Sequence, residues 1–152
     1  MIGFVLLNVM QVKSEPNHDL DFWVGRWIVT VGKDLNGHDV VTKSQDGFVV
    51  REDWKGVEPG DWGESFFYFQ SKHKRWKQVW VTPTGVYKEK VSEACPGGIR
   101  FVGTVFLPSG RTIDDRTTLT KVSSGRVHQV IEHKDKTGKW IVSFDAIYEP
   151  EK

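Results

Sequence analysis

A carboxylate on an apolar face is the side chain in this sequence best placed to do chemistry. In Phe48-Val49-Val50-Arg51-Glu52-Asp53-Trp54, a period of two puts Phe48, Val50, Glu52 and Trp54 on one side of a strand and Val49, Arg51 and Asp53 on the other. Stripped of water, a carboxylate either takes up a proton or needs donors and cations to stay ionised. Parity names the candidates. Ser65 shares a face with Phe67 and Phe69, Gln78 lies between Trp76 and Trp80, and Gln129 lies between Val127 and Ile131. In the last strand, Trp140, Val142, Phe144, Ala146 and Tyr148 form an inner row that brings a phenol hydroxyl to one end of a cavity. Arg116 is the obvious counterion. Ile113 and Leu119 argue that the odd positions of its strand face inward and Arg116 outward. The row Thr112, Asp114, Arg116, Thr118 and Thr120 instead suits a wet lumen.

Other chemistries find less support. His18, His38 and His73 fall beside turns or in a basic hairpin, and His128 should face away if Gln129 faces in. His133 shares the parity of Gln129 and is the one histidine placed to meet a haem iron, although no close-spaced ligand motif accompanies it. Cys95, the single cysteine, lies in the turn Cys95-Pro96-Gly97-Gly98 without a neighbouring base, so it reads as a bystander thiol. Gly97-Gly98 does not lead into a helix and is no phosphate cradle. No nucleophile motif or dinucleotide fingerprint occurs, and no cofactor is implied.

These candidates need a scaffold. The chain has 152 residues, enough for one domain with its own core, and a formal net charge of +1 spread without a basic face, which argues against nucleic acid. Seven Trp and nine Phe are the unusual feature; aromatics fill cores and also wall apolar pockets. The run Phe4-Val5-Leu6-Leu7 is a poor export signal and too short to span a bilayer. Residues 1–18 therefore read as a loose or edge-packing segment before one domain at 19–152, with a cytoplasmic location preferred over a periplasmic one.

From Trp23 onward, short alternating runs are separated by turn residues. The pattern predicts strands over 23–32, 38–45, 48–55, 64–71, 75–82, 86–91, 99–107, 111–121, 126–134 and 139–148. Connectors include Asn36-Gly37, Asp46-Gly47, Glu58-Pro59-Gly60-Asp61 and Thr137-Gly138. About ten hairpin-linked strands make an antiparallel meander, and closing it into an up-and-down β-barrel removes the exposed edges. A two-sheet sandwich is the alternative. In the first strand Gly25, Trp27, Val29 and Val31 should face inward, with Gly25 allowing close approach and Trp27 plugging or flooring the barrel. His18–Val24 could form a short helical turn that closes one end.

Order and spacing also carry a resemblance. Asp21-Phe22-Trp23-Val24-Gly25-Arg26-Trp27, Asp46-Gly47-Phe48 leading to Glu52-x-Trp54, Gly63-x-Ser65, Trp76-x-Gln78-x-Trp80, Gln129 and the stretch from Trp140 to Tyr148 resemble a family of small bacterial lipocalin-like proteins of unassigned function. The likeness runs from Asp19 to Tyr148. It implies a calycin-type barrel, the architecture of lipocalins and fatty-acid-binding proteins, and no established reaction. It also tilts Arg116 inward. Phe48 departs from the family pattern and implies a smaller or differently shaped pocket, and Thr82 stands where the family usually has an acidic residue after Trp80-Val81.

The expected function is binding of a small hydrophobic, amphipathic or aromatic molecule. Trp27, Trp54, Phe67, Trp80 and Phe144 would pack its body, and Glu52, Ser65, Gln78, Arg116, Gln129 and Tyr148 would meet its polar groups. The second expectation is an isomerase, decarboxylase or lyase using Glu52 or Tyr148 for proton transfer, and the third is a haem barrel. Without a ligand, the same residues are a buried network that fixes strand register. The clustered cations of Lys72–Lys77 are most simply a solvated hairpin, or else face an anion at a barrel mouth.

Overall fold

A computed structural model describes residues 17–152. The apolar run Phe4–Leu7, read as loose or edge-packing, lies outside the described residues. All ten expected strands form: β1 (Gly25–Val31), β2 (Asp34–Ser44), β3 (Val49–Gly56), β4 (Trp62–Gln70), β5 (Arg75–Val81), β6 (Tyr87–Cys95), β7 (Gly98–Phe106), β8 (Thr112–Lys121), β9 (Val127–Lys134) and β10 (Trp140–Pro150). Each pairs antiparallel with the next, and β10 returns to β1 through Trp27↔Pro150, Ile28↔Glu149, Val29↔Tyr148 and Thr30↔Ile147. The sheet is a closed up-and-down barrel. Closure excludes the sandwich.

One end is plugged by the segment preceding β1. A 3-10 turn at Asp21–Trp23 drives Leu20 and Trp23 into the barrel, where both are buried. Trp23 meets Phe67 edge-on at 5.4 Å, and Phe67 meets Phe101 at 5.1 Å. Polar groups anchor the plug. The Asn17 amide donates to the Asp46 carbonyl at 3.0 Å, Trp76 Nε1 to Asp19 Oδ2 at 3.1 Å and Trp27 Nε1 to the Trp23 carbonyl at 2.9 Å, while Lys43 pairs with Asp21. Trp27 therefore floors the barrel as expected.

The strand ends differ from the sequence reading in four places. Asn36-Gly37 is not a turn: the β1–β2 hairpin turns at Gly32-Lys33, and Asn36 is the extra residue where the register shifts between Val29 and Thr30. Past that bulge Val31 is exposed, whereas Trp27 and Val29 stay inside. At Gly25, an added Cβ would make only ordinary contact with the Trp27 ring at 3.5 Å; what glycine supplies is a φ of 156°, open to few other residues. Finally, a register shift between Val142 and Phe144 reverses the start of β10, so Trp140 and Val142 lie outside while Ala146 and Tyr148 remain buried within.

The plug concentrates apolar burial, so truncating it should cost most. Trp23→Ala is expected to lower stability by about 3–5 kcal/mol, and Val31→Ala by less than about 0.5 kcal/mol. Urea unfolding followed by far-UV circular dichroism checks both; equal effects would refute the plug.

Candidate functional site

The half of the barrel away from the plug is not filled. A cavity of about 320 Å³ lies there, at the low end of the size of small-molecule pockets. Its lip carries Asn36, Asp61 and Ser143, with Asp61 exposed to solvent. Trp54, Trp80, Phe144 and Ile131 form apolar walls. Trp54 meets Phe144 edge-on at 6.3 Å and is held by its indole N–H, which donates to Asp61 Oδ1 at 3.2 Å. Deeper in lie Glu52, Gln78, Gln129 and Tyr148, all buried.

Glu52 sits as parity required, opposite Ser65 on β4 and Val41 on β2. Burial raises its pKa, opposed by the Ser65 hydroxyl and by the charges of Lys88 and Lys90. Gln78 Nε2 donates to Ser65 Oγ at 3.2 Å, leaving the Gln78 carbonyl oxygen buried without a partner among the described residues. Tyr148 donates its hydroxyl to Gln129 Oε1 at 2.9 Å. Burial, reinforced by Asp39 and Glu52, holds that phenol well above its ordinary range, so Tyr148 is a neutral donor.

A second group was not anticipated from the sequence. Lys88 and Lys90 point inward from β6 and line the cavity with Thr117. Lys90 is fully enclosed, paired with the buried Asp115 and donating to Thr117 Oγ1 at 2.6 Å. In register, Lys90 faces Gly103 and Gly103 faces Asp115, so the ion pair spans a strand position that carries no side chain. An added Cβ at Gly103 would lie 2.0 Å from the Glu89 carbonyl oxygen and 2.7 Å from Lys90 Cα; only glycine lets β7 pass here. Burial, then the neighbouring charge of Lys88, lowers the Lys90 pKa to about 8 against the pull of Asp115. On β2, Asp39 is wholly buried between Trp27 and Trp54 in register, with neither carboxyl oxygen hydrogen-bonded among the described residues. Burial first, then Glu52, raises its pKa well above the ordinary carboxylate value and favours the protonated form.

Of the residues singled out from the sequence, Glu52, Trp54, Gln78, Trp80, Gln129, Phe144 and Tyr148 line the cavity. Trp27 and Phe67 belong to the floor and core beneath it. Ser65 stands behind the wall as the partner of Glu52 and Gln78. Arg116 does not enter. Its strand places Asp115, Thr117 and Leu119 inside, and Arg116 lies on the outer surface, bidentate to Glu132 at 2.6 and 2.8 Å and 4.3 Å from the Trp140 ring centroid. The inward reading fails because the apolar residues of β8 and the outer partners of Arg116 agree.

The Lys72–Lys77 hairpin joins β4 to β5 at the plugged end, beside Trp76 and Asp19, so its cations cannot meet a molecule at the mouth. None of the five histidines lines the cavity; His128 bonds Asp145 at 2.7 Å on the outside. Among the described residues, no helix is long and apolar enough to cross a membrane, and no group of three or more His, Cys, Asp or Glu could hold a metal ion.

Fold and site together define a closed ten-stranded antiparallel barrel, consistent with a calycin-like fold, that encloses a polar-floored cavity under aromatic walls. No protein-family model and no curated protein matches the chain.

Two outcomes follow from the buried charges. Lys90→Met strands Asp115 and should cost about 3–5 kcal/mol, whereas Lys90→Met with Asp115→Leu should recover most of that loss; a double-mutant cycle in urea measures the coupling. Asp39 binds a proton more tightly folded than unfolded, so its contribution to stability is present below about pH 4 and is lost as pH rises through its folded value. Asp39→Asn should flatten the fall of stability as pH rises above about 4 in the same unfolding experiment.

Proposed function

We propose that the barrel is a lipocalin-like binding protein, of the kind its motifs resemble in small bacterial proteins, and that it takes up one small amphipathic or aromatic molecule. The observation that carries the reading is the unfilled half of the barrel. A core needing only register would close over its polar groups, as close packing favours. Here three aromatic rings and a few convergent polar groups surround about 320 Å³ of space instead. Packing against Trp54, Trp80 and Phe144 supplies affinity, and Gln78, with its spare carbonyl, supplies orientation.

A second reading is favoured by one observation: Glu52 is a buried carboxylate lining a cavity, with its pKa raised by burial, as a proton-transfer group requires. Binding comes first because it asks for nothing beyond the cavity. Tyr148, held neutral and already donating to Gln129, is a poor base in either case.

The neutral probe 2-phenylethanol tests the binding reading. Saturable shifts of the Trp54 and Trp80 indole N–H signals in nitrogen-edited NMR, with Trp23 unmoved, are expected. Phe144→Trp, which fills the cavity, should abolish them. If neither indole responds at any concentration, the cavity does not bind neutral aromatic molecules.

A further inference from the structure

We infer that the molecule held in the cavity is a small aromatic carboxylate and that Lys88 grips its anionic end. The inference rests on the binding reading above and adds the ligand's charge and the residue that selects it.

The pairing of Lys90 with Asp115 leaves Lys88 without a carboxylate of its own. Lys88 has only 16% of its side chain exposed, yet its ammonium makes no hydrogen bond among the described residues. Its nearest carboxylate is Asp115, 3.8 Å from Nζ, and that carboxylate is already closed on Lys90. The other close neighbour is the Trp80 ring, 4.8 Å from Nζ to the centroid. A ring face attracts an ammonium but accepts no ordinary hydrogen bond, so three donors remain free in a half-dry space. A buried charge in that condition is costly, and a carboxylate delivered by a ligand removes the cost.

The acids of the site do not compete for the opposite assignment. Burial pushes both Asp39 and Glu52 towards the protonated form, against the Ser65 hydroxyl and the charges of Lys88 and Lys90 at Glu52. Asp61 is exposed at the lip and accepts the Trp54 indole N–H. Asp115 is matched and Asp61 is wet, and Lys88 is the cavity-lining ammonium that no carboxylate of the described residues meets at hydrogen-bond distance. One ammonium, with no arginine in the lining, suits a monoanion and not a phosphate dianion. The register places Trp80 beside Lys88, so an aromatic body attached to the bound carboxylate lies along the indole.

Three probes of similar size separate the possibilities: phenylacetate, 2-phenylethanol and 2-phenylethylammonium, titrated at neutral pH against the Trp54 and Trp80 indole signals. Phenylacetate should bind at least ~10-fold more tightly than the alcohol, the advantage expected of a charge-assisted contact. Lys88→Met should bring phenylacetate to the affinity that the same variant shows for the alcohol, and Lys88→Arg should keep the preference. Tightest binding by the ammonium probe, equal binding of acid and alcohol, or a preference that survives Lys88→Met overturns the inference while the binding reading stands. Silence from all three probes removes the binding reading and this inference with it.

Discussion

Closure of the sheet is the constraint on which the rest depends. Once β1 pairs with β10 as well as β2, no strand presents an unpaired edge, and every interior position faces nine other strands across a shared space. Ten strands enclose more volume than the interior side chains of a smaller barrel would fill. The sequence resolves this in two ways. At one end it spends an extra segment, Leu20 and Trp23, as a plug under Trp27, Phe67 and Phe101. At the other it leaves a cavity walled by indoles. Floor and pocket are consequences of the same closure.

Closure also explains how lysines come to lie inside. A charge buried in a sheet can be matched only by a residue the register brings to it, and β6, β7 and β8 bring Lys90 to Asp115 across Gly103. The pair leaves Lys88 with the more distant share of one carboxylate. Replacement of such a pair by apolar groups is often neutral for stability, so its presence points to the character of the cavity and not to the strength of the fold.

Much of this was legible in the sequence. Alternation and turn residues placed all ten strands, because the period of two and the glycine-bearing turns are local properties. Parity put Glu52, Gln78, Gln129 and Tyr148 on the inner face, since each lies in an uninterrupted run of its strand. Where a strand bulges, parity fails: the register shift in β10 turned Trp140 and Val142 outward and brought Ser143 to the lip. The inner face of β6 was hidden for another reason. Tyr87 and Val91 look like its apolar side, so local alternation does not mark Lys88 and Lys90 as inward, and only the positions of Asp115 and Trp80 on neighbouring strands reveal that they face in. Asp39 gave no local signal at all, as its surroundings are Trp27, Trp54 and Glu52 from adjacent strands.

By itself, then, the sequence determined the strand count, the meander order and the inward carboxylate of β3, because periodicity and turn chemistry act over a few residues. Tertiary structure alone decided that Arg116 stands outside with Glu132, that two lysines stand inside, and that part of the interior is empty. Those outcomes depend on which side chains meet across strands far apart in the chain, and on the volume left when the barrel closes around them.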